Sequence, residues 1–501
     1  MAYVRTVRTS SGATAVQIVH SSRRGSRKIE HLGSAHTPED VEALKAAAKQ
    51  RIEEGQAQFD LGLEVAAAAD SGGPLPITST RMGHLWDALC RAYDALGFDD
   101  ATDGDEVFRE LVLARIIEPT SKEDSVRVLD EVGVNTTSYR TIKRRLPGYA
   151  KPEWRHAISG AAARRAALGP ASLVLYDVTT LYFETDQGDG FRESGFSKER
   201  RLEPQITLGL LTDAAGFPLQ ITAFEGNKAE TQTMVPVIEA FKAAHGLEDV
   251  TVVADAGMMS ASNQLALEHA RLSFVIGARI PDVPYQLKKW HEDHGGEPVP
   301  DGLVLTQPWP ATQLEKARGK RDRVIHYQYR ADRARRTLRG IDEQVGKAEK
   351  AVAGKVAVKR NRYVQLAGGT KSVNRELEAK TRALAGWKGY TTNLVDQPAE
   401  FVIGAYHQLW HVEKSFRMSK HDLKARPIYH HKRESIEAHL TIVFAALAVT
   451  RFVENATGWS IKKFVRTARR YRTVQIQVGK HTITAEDPLP ADLRDALAQI
   501  N

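Results

Sequence analysis

Between residues 171 and 278 the chain alternates in a pattern that leaves few folds open to it: three strand runs, a helix, a strand, a helix and a strand. Leu173–Tyr176 is a short apolar run of the kind a buried strand uses. Gln205–Leu211 and Phe217–Phe224 are two more, and Thr-Asp-Ala-Ala-Gly between them predicts a hairpin. Thr231–Ala244 has the spacing of an amphipathic helix, Val250–Ala254 reads as a buried strand, Ser262–Ala270 as a second helix and Phe274–Gly277 as a closing strand. Two of these strands run into an acid, Asp177 after Ser172-Leu-Val-Leu-Tyr and Asp255 after Val250-Thr-Val-Val-Ala. The pattern predicts an α/β fold with carboxylates at strand ends. One such aspartate is most often a turn or cap residue, so its weight depends on company.

That company lies far downstream, in Tyr406-His-Gln-Leu-Trp-His-Val-Glu413-Lys-Ser-Phe-Arg-Met-Ser-Lys420. Seven residues are two helical turns with about 20° of drift, so Tyr406, Glu413 and Lys420 stack on one face while Leu409 and Phe416 form a stripe beside them. An acid flanked by a phenol and an ammonium suits a phosphodiester better than a core. Two strand-borne aspartates and a helix-borne glutamate are the hard oxygen donors a divalent cation requires.

Charge narrows the partner. The net charge is +8 over 501 residues. From Lys316 to Arg362 there are 16 Lys/Arg against 5 Asp/Glu, so the remainder of the chain is slightly acidic. Residues 1 to 28 add Arg5, Arg8, Arg23, Arg24, Arg27 and Lys28 without one acid. Positive charge concentrated in this way is the footprint of a polyanion binder, although one basic run alone reads as a solvated helix face. The composition, 42% apolar and 26% charged, excludes a disordered chain. The single cysteine, Cys90, excludes a disulfide framework and a cysteine-based zinc site and fits a reducing cytoplasm. No apolar leader opens the chain, and Leu440–Val449 is too short to span a bilayer and reads as a buried helix.

Residues 3 to 34 alternate around Ser/Gly turns as a small antiparallel sheet would, and Pro38–Glu54 reads as a helix. Asp70-Ser-Gly-Gly-Pro-Leu-Pro76 is a linker by composition. Beyond it, residues 83 to 165 look helical. Ser121-Lys-Glu-Asp124 is a capping-box pattern opening a helix with Val126 and Leu129 inward; Gly133 ends it, and Thr136 or Thr137 caps a second helix bearing Tyr139, Ile142 and Leu146. Arg140, Lys143, Arg144 and Arg145 occupy the second helix's other faces, as in a recognition helix. Helical pairs with a glycine turn are equally common where no DNA is bound.

With these residues in hand, the chain resembles the DDE transposases of bacterial insertion sequences, in the branch with an insertion domain before the glutamate. Tyr176-Asp-Val-Thr-Thr-Leu-Tyr-Phe-Glu184, Val252-Val-Ala-Asp-Ala-Gly257 and the helix Tyr406–Lys420 carry the resemblance. The helix follows the family signature of Tyr, two residues, Arg, three residues, Glu, six residues, Lys, except that Leu409 stands where the arginine belongs. Arg417 or Lys414 is the candidate replacement. The resemblance implies an RNase H-like core with Asp177, Asp255 and Glu413 as catalytic metal ligands, Asp177 bridging two Mg²⁺ ions, with Mn²⁺ as an alternative. It implies endonucleolytic release of a 3′-OH that then attacks target DNA, double-stranded DNA as partner, a homodimer on paired ends, and a nucleoid-associated cytoplasmic location. Tyr406, Lys420 and Arg417 become DNA contacts, together with Arg140, Lys143, Arg144 and Arg145 and, in the basic insertion, Arg333, Arg335 and Arg336. In relatives with an insertion domain an indole holds a flipped base; Trp290, Trp309 and Trp387 are the candidates here.

The domain plan that follows is a β-rich module at 1–60 expected to contact DNA, a helical helix-turn-helix region at 80–165, core at 166–280, basic insertion at 281–390, core again at 391–470 and a tail at 471–501. Glu184 is the strongest rival acid, and Asp186, Asp189, Asp213 and Glu225 also lie in or beside strands. His407 and His411 have ligand spacing, with His421, His430 and His431 nearby, but no HExxH frame surrounds them. Two other functions keep part of the pattern: a catalytically silent DNA-binding regulator, and an RNase H-like recombination nuclease without strand transfer.

Overall fold

The computed structural model describes residues 2–9, 12–21, 27–54, 75–168, 172–185, 187–195, 203–247, 250–258, 260–355, 357, 361–367, 370–426, 428, 430–478 and 481–500. Most of the expected linker at 70–76 lies outside them. The chain divides into two compact units, residues 1–82 with 466–488, and residues 83–465 with 489–501.

In the first unit, Ala2–Arg8, Thr14–Ser21 and Arg27–Ala35 form an antiparallel sheet in chain order, as the alternation predicts. Helix Pro38–Glu54 packs on it around Val16, Ile18 and Ala48. A separate sheet pairs Ile77–Arg81 with a hairpin, Thr473–Val478 and His481–Glu486. Residues 471–501, expected as a tail, thus supply two strands here and the helix Ala491–Ala498 in the second unit.

The second unit is organised by one eight-stranded sheet. Its strands in chain order are β1 (Leu173–Tyr182), β2 (Gln205–Asp213), β3 (Pro218–Glu225), β4 (Thr251–Ala254), β5 (Ser273–Ala278), β6 (Val304–Trp309), β7 (Arg323–Tyr329) and β8 (Trp387–Thr392). They lie side by side as β6-β7-β8-β5-β4-β1-β2-β3. The pairs β1–β4 and β4–β5 are parallel and the rest antiparallel. The hairpin joining β2 to β3 places Asp213 at its turn, where Oδ1 accepts from the amides of Ala215 and Phe217 at 2.9 and 2.8 Å. That rival acid is structural. Two helices, α1 (Met234–His245) and α2 (Ala261–His269), make the crossovers that parallel strands require.

The basic stretch after β5 does not stand apart from the sheet. β6, β7 and β8 extend its edge, with Gly389 opposite Ala278 and Thr392 opposite Val275. Side chains bolt this edge down. The Thr392 hydroxyl donates to the Phe274 carbonyl at 2.6 Å, and the Asn393 amide accepts from Phe274 N at 2.9 Å and donates to the Leu272 carbonyl at 3.1 Å. Arg323 of β7 makes a two-pronged pair with buried Glu268 of α2 at 2.9 and 2.8 Å. Between β7 and β8 the chain makes an excursion: α3 (Ala331–Val352), the small hairpin Val364–Ala367 with Thr370–Val373, and helix Arg375–Ala383. It has its own core of Ile341, Val345, Ala348 and Tyr363.

After β8 come α4 (Ala399–His407), α5 (Leu409–Arg417) and α6 (Arg433–Thr457). By length and composition α6 is apolar enough to cross a membrane, yet 94% of its apolar window is buried inside the protein. It is the core helix expected around Leu440–Val449. It packs against β3 and against Gly83–Ala95, Glu106–Ile117 and Tyr139–Tyr149. The helical region at 83–165 therefore shares a core with the sheet.

Within that region the expected pair is Ser125–Glu131 and Tyr139–Tyr149, separated by Gly133 at φ 79°. The inward residues of the first are Val128 and Leu129, rather than Val126 and Leu129, because it starts one turn later than its capping pattern suggests. Ser138 caps the second by accepting from Thr141 N at 3.4 Å; Thr136 instead donates to Glu110 at 2.7 Å.

Candidate active site

Parallel pairing leads up to both aspartates. Leu173, Val174 and Leu175 of β1 lie opposite Thr251, Val252 and Val253 of β4. The pairing ends at Leu175 and Val253, two residues before Asp177 on β1 and Asp255 just past β4, so both acids follow the same end of the parallel pair. Asp177 is half-buried and Asp255, just past the end of its strand, is exposed. Glu184 follows Asp177 by seven residues of chain, about 23 Å if extended, and lies beyond the end of β1, so it does not share this position.

The helical segment 399–422 packs on the sheet. It is not one continuous α-helix, as the seven-residue spacing assumes. A turn at Gln408 separates α4 from α5, and residues Met418–Asp422 close in a π-helical turn, a local widening often found at functional sites. The three stacked residues nevertheless address one region. The Tyr406 hydroxyl donates to Asp255 Oδ1 at 2.6 Å, and Lys420 Nζ donates at 2.5 Å to the hydroxyl of Thr179, two residues beyond Asp177 on the same face of β1. Glu413 lies between them on α5, exposed.

Tyr406 itself is buried, and burial, with the Asp255 carboxylate as its acceptor, holds its phenol above the ordinary range. The hydroxyl, expected as a phosphate grip, here donates to Asp255. Room for the ring comes from Gly277 on β5, where a Cβ would come within 2.9 Å of the hydroxyl and 3.2 Å of the ring.

A residue without a local sequence signal completes the region. Lys388 of β8 extends across Tyr406, its ammonium 4.1 Å from the ring centroid and 5.8 Å from that of Tyr390. Burial pushes its pKa down, while the charges of Asp255 and Glu413 draw it back up. Arg333, at the start of α3, donates to the Gln328 and Gly386 carbonyls at 3.4 and 3.3 Å and adds positive potential at Lys388 and Tyr390.

The other predicted cations sort by geometry. Arg140, Lys143, Arg144 and Arg145 are all exposed on Tyr139–Tyr149, with Arg145 paired to Asp105 at 3.1 Å. Arg335, Arg336 and Arg339 are exposed on α3, Arg335 against Asp332. Of the two candidate replacements for the signature arginine, Lys414 is tied to Glu454 at 3.0 Å, whereas Arg417 is exposed. Leu409 is buried at 9% exposure. Trp290 and Trp387 are buried, and Trp309 is 51% exposed.

The donor set is oxygen-only, with carboxylates following two paired strands, and that chemistry fits a hard divalent cation. Among the described residues, however, no three His, Cys, Asp or Glu side chains converge as a ready-made metal cage. This applies equally to the histidines, where His407 Nε2 faces the Tyr390 hydroxyl at 3.4 Å.

Three antiparallel strands, two further parallel ones and an acid-bearing helix packed on the sheet define an RNase H-like α/β protein. The family model for the transposase DDE domain matches residues 168–449, more than half of the chain, and the protein belongs to that family of transposases. No curated protein matches the chain. Among solved structures, it is similar to the piggyBac transposase of a cryo-EM synaptic complex with hairpin DNA, at 12% identity and a TM-score of 0.38, covering 77% of this chain and 70% of that one.

Proposed function

We propose that this transposase binds the terminal inverted repeats of its element and carries out Mg²⁺-dependent strand cleavage and strand transfer. The observation that supports the reading is the parallel pairing of β1 and β4, after which Asp177 and Asp255 follow, beside the helix that bears Glu413. Asp177 and Asp255 offer paired carboxylates, oriented on the Asp255 side by Tyr406, and Glu413 supplies the third acid. Two bound Mg²⁺ ions, or Mn²⁺, would stabilise charge on the entering and leaving oxygens of the phosphodiester. Lys420 reaches β1 at Thr179, close to Asp177. The exposed Arg140, Lys143 and Arg144 support backbone contacts to duplex DNA, and pairing of two ends calls for a homodimer acting on DNA in the cytoplasm.

The test uses duplexes carrying the inverted repeats that flank the coding region. Wild-type protein is expected to nick them in Mg²⁺ and join the freed end to plasmid, with EDTA stopping both. Asp177→Asn, Asp255→Asn and Glu413→Gln should each abolish nicking and retain end binding. Nicking that survives one of these changes removes that residue from the site. Binding without nicking by the wild type indicates a regulator, and nicking without joining indicates a nuclease.

A further inference from the structure

Lys388 is half-buried, and its ammonium meets aromatic faces rather than an ion-pair partner among the described residues. A cation–π contact returns less than withdrawing an ammonium from water costs. The position therefore asks for something more. Burial disfavours the ammonium, and of the charges around it Asp255 and Glu413 favour it while Arg333 opposes it. The ammonium also sits on the ring whose hydroxyl binds Asp255. A phosphodiester entering an acid-lined face adds negative charge to negative charge, and a fixed cation at the edge offsets that repulsion.

Of the helical segment's cations, Lys420 is engaged with Thr179 on β1. Leu409, three residues after Tyr406 and four before Glu413, occupies the adjoining position and is buried and apolar. Lys414 is tied to Glu454. The sheet edge supplies a cation: β8 pairs with β5 so that Gly389 faces Ala278, which places Lys388 beside the strand that carries Gly277 under Tyr406.

We propose that Lys388 is the substrate-phosphate residue of this site: its ammonium, seated on Tyr406, holds a DNA phosphate next to the bond that is cut, from the sheet side of the cleft. This rests on the transposase reading above. A purely structural lysine, holding Asp255 and Glu413 in place through its field, is the alternative to be separated.

The experiment measures binding of end-containing duplexes, with Ca²⁺ in place of Mg²⁺, by wild type, Lys388→Ala and Lys388→Arg. Each duplex carries one neutral methylphosphonate linkage, walked across the element end. At 0.15 M salt Lys388→Ala is expected to bind the unmodified end roughly tenfold more weakly, as removal of one charge-assisted hydrogen bond implies. Its slope of log affinity against log salt should be shallower by about 0.9. One linkage near the cut should weaken wild type by a similar factor and Lys388→Ala by none, and Lys388→Arg should retain the dependence. If every neutral linkage weakens wild type and Lys388→Ala equally, Lys388 holds no phosphate and the inference falls. An unchanged slope together with a lowered unfolding temperature also overturns it, in favour of the structural role. Failure of the wild type to prefer the end duplex over a random one overturns the transposase reading itself.

Discussion

Tyr406 shows how much of this site depends on single atoms. Its hydroxyl meets Asp255 at 2.6 Å only because Gly277 leaves the space of a Cβ empty beneath it. Gly277→Ala is expected to displace the ring, and Tyr406→Phe to release Asp255 while keeping the ring packed. Both should lower the cleavage rate, by roughly tenfold for Tyr406→Phe, the size expected for one missing hydrogen bond to a charged group, with end binding retained. An unaltered rate in Tyr406→Phe would make the contact incidental. The three acids are legible in the sequence because an acid closing an apolar run, and a seven-residue repeat, are local patterns. Gly277 and Lys388 are not, since each takes its meaning from Tyr406, far away in the chain. Leu409 is visible as a departure from the family signature, but the cation lying beside its neighbours is not.

Among elements, the sheet edge formed by β6, β7 and β8 is hidden in the sequence, where 281–390 reads as a separate insertion. Pro308 lies in β6, an edge strand, where a missing amide is tolerated, and it disguises the run as loop. β7 is tied to α2 through the Arg323–Glu268 pair, whose arginine is 11% and glutamate 0% exposed. Removing one partner from such a pair strands the other charge, so Arg323→Met should destabilise the unit by about 3–5 kcal/mol. Urea denaturation of the full chain measures it, and a loss under about 1 kcal/mol would mean that the guanidinium is not needed there. The helix Tyr139–Tyr149 makes a different claim. Replacing Arg140, Lys143 and Arg144 by Ala should flatten the salt dependence of duplex binding by about 0.9 for each phosphate no longer neutralised. Arg335, Arg336 and Arg339 of α3 provide the parallel series, and whichever series leaves the slope unchanged does not touch the backbone.

At the scale of the molecule, burial has packed basic groups together with no acid paired to them among the described residues. Lys122, Arg115 and His439 are all buried, with Lys122 Nζ 3.4 Å from His439 Nδ1 and His439 Nε2 donating to the Ala425 carbonyl at 3.2 Å. Burial, with Lys122 and Arg115 nearby, holds His439 well below its ordinary 6.5 and His430 at about 4. Both rings are thus neutral in the folded protein at a pH where the unfolded chain binds protons. The contribution of these two histidines is fully present above about pH 6.5 and is lost as pH drops below it, with buried Lys122, also held below its ordinary range, acting in the same sense at higher pH. Thermal unfolding from pH 7.5 to 5 should record the decline, and His439→Gln, which cannot titrate, should flatten it. The order of strands and helices from 173 to 278 is readable because a buried run and an amphipathic helix differ in period. That the helices before residue 165 and the sheet share the core around α6 is not readable, because no local pattern states which apolar faces meet.

The route from β7 to β8 has a practical meaning. Tyr329 and Trp387 are cross-strand partners, so everything between them leaves the sheet and returns one strand spacing away. The excursion brings its own core, and ion pairs such as Arg382–Asp342 and Arg375–Glu349, at 2.6 Å each, close within it. For protein engineering this stretch is an interchangeable cassette. Residues 339–382 are expected to exchange for a short turn or a foreign DNA-binding module with both strands kept, at the loss of outward ties such as Lys380–Asp282, and the unfolding temperature of the exchanged protein checks this. Closing such a loop changes chain entropy only slowly with its length, so the sheet should accept cassettes of very different sizes.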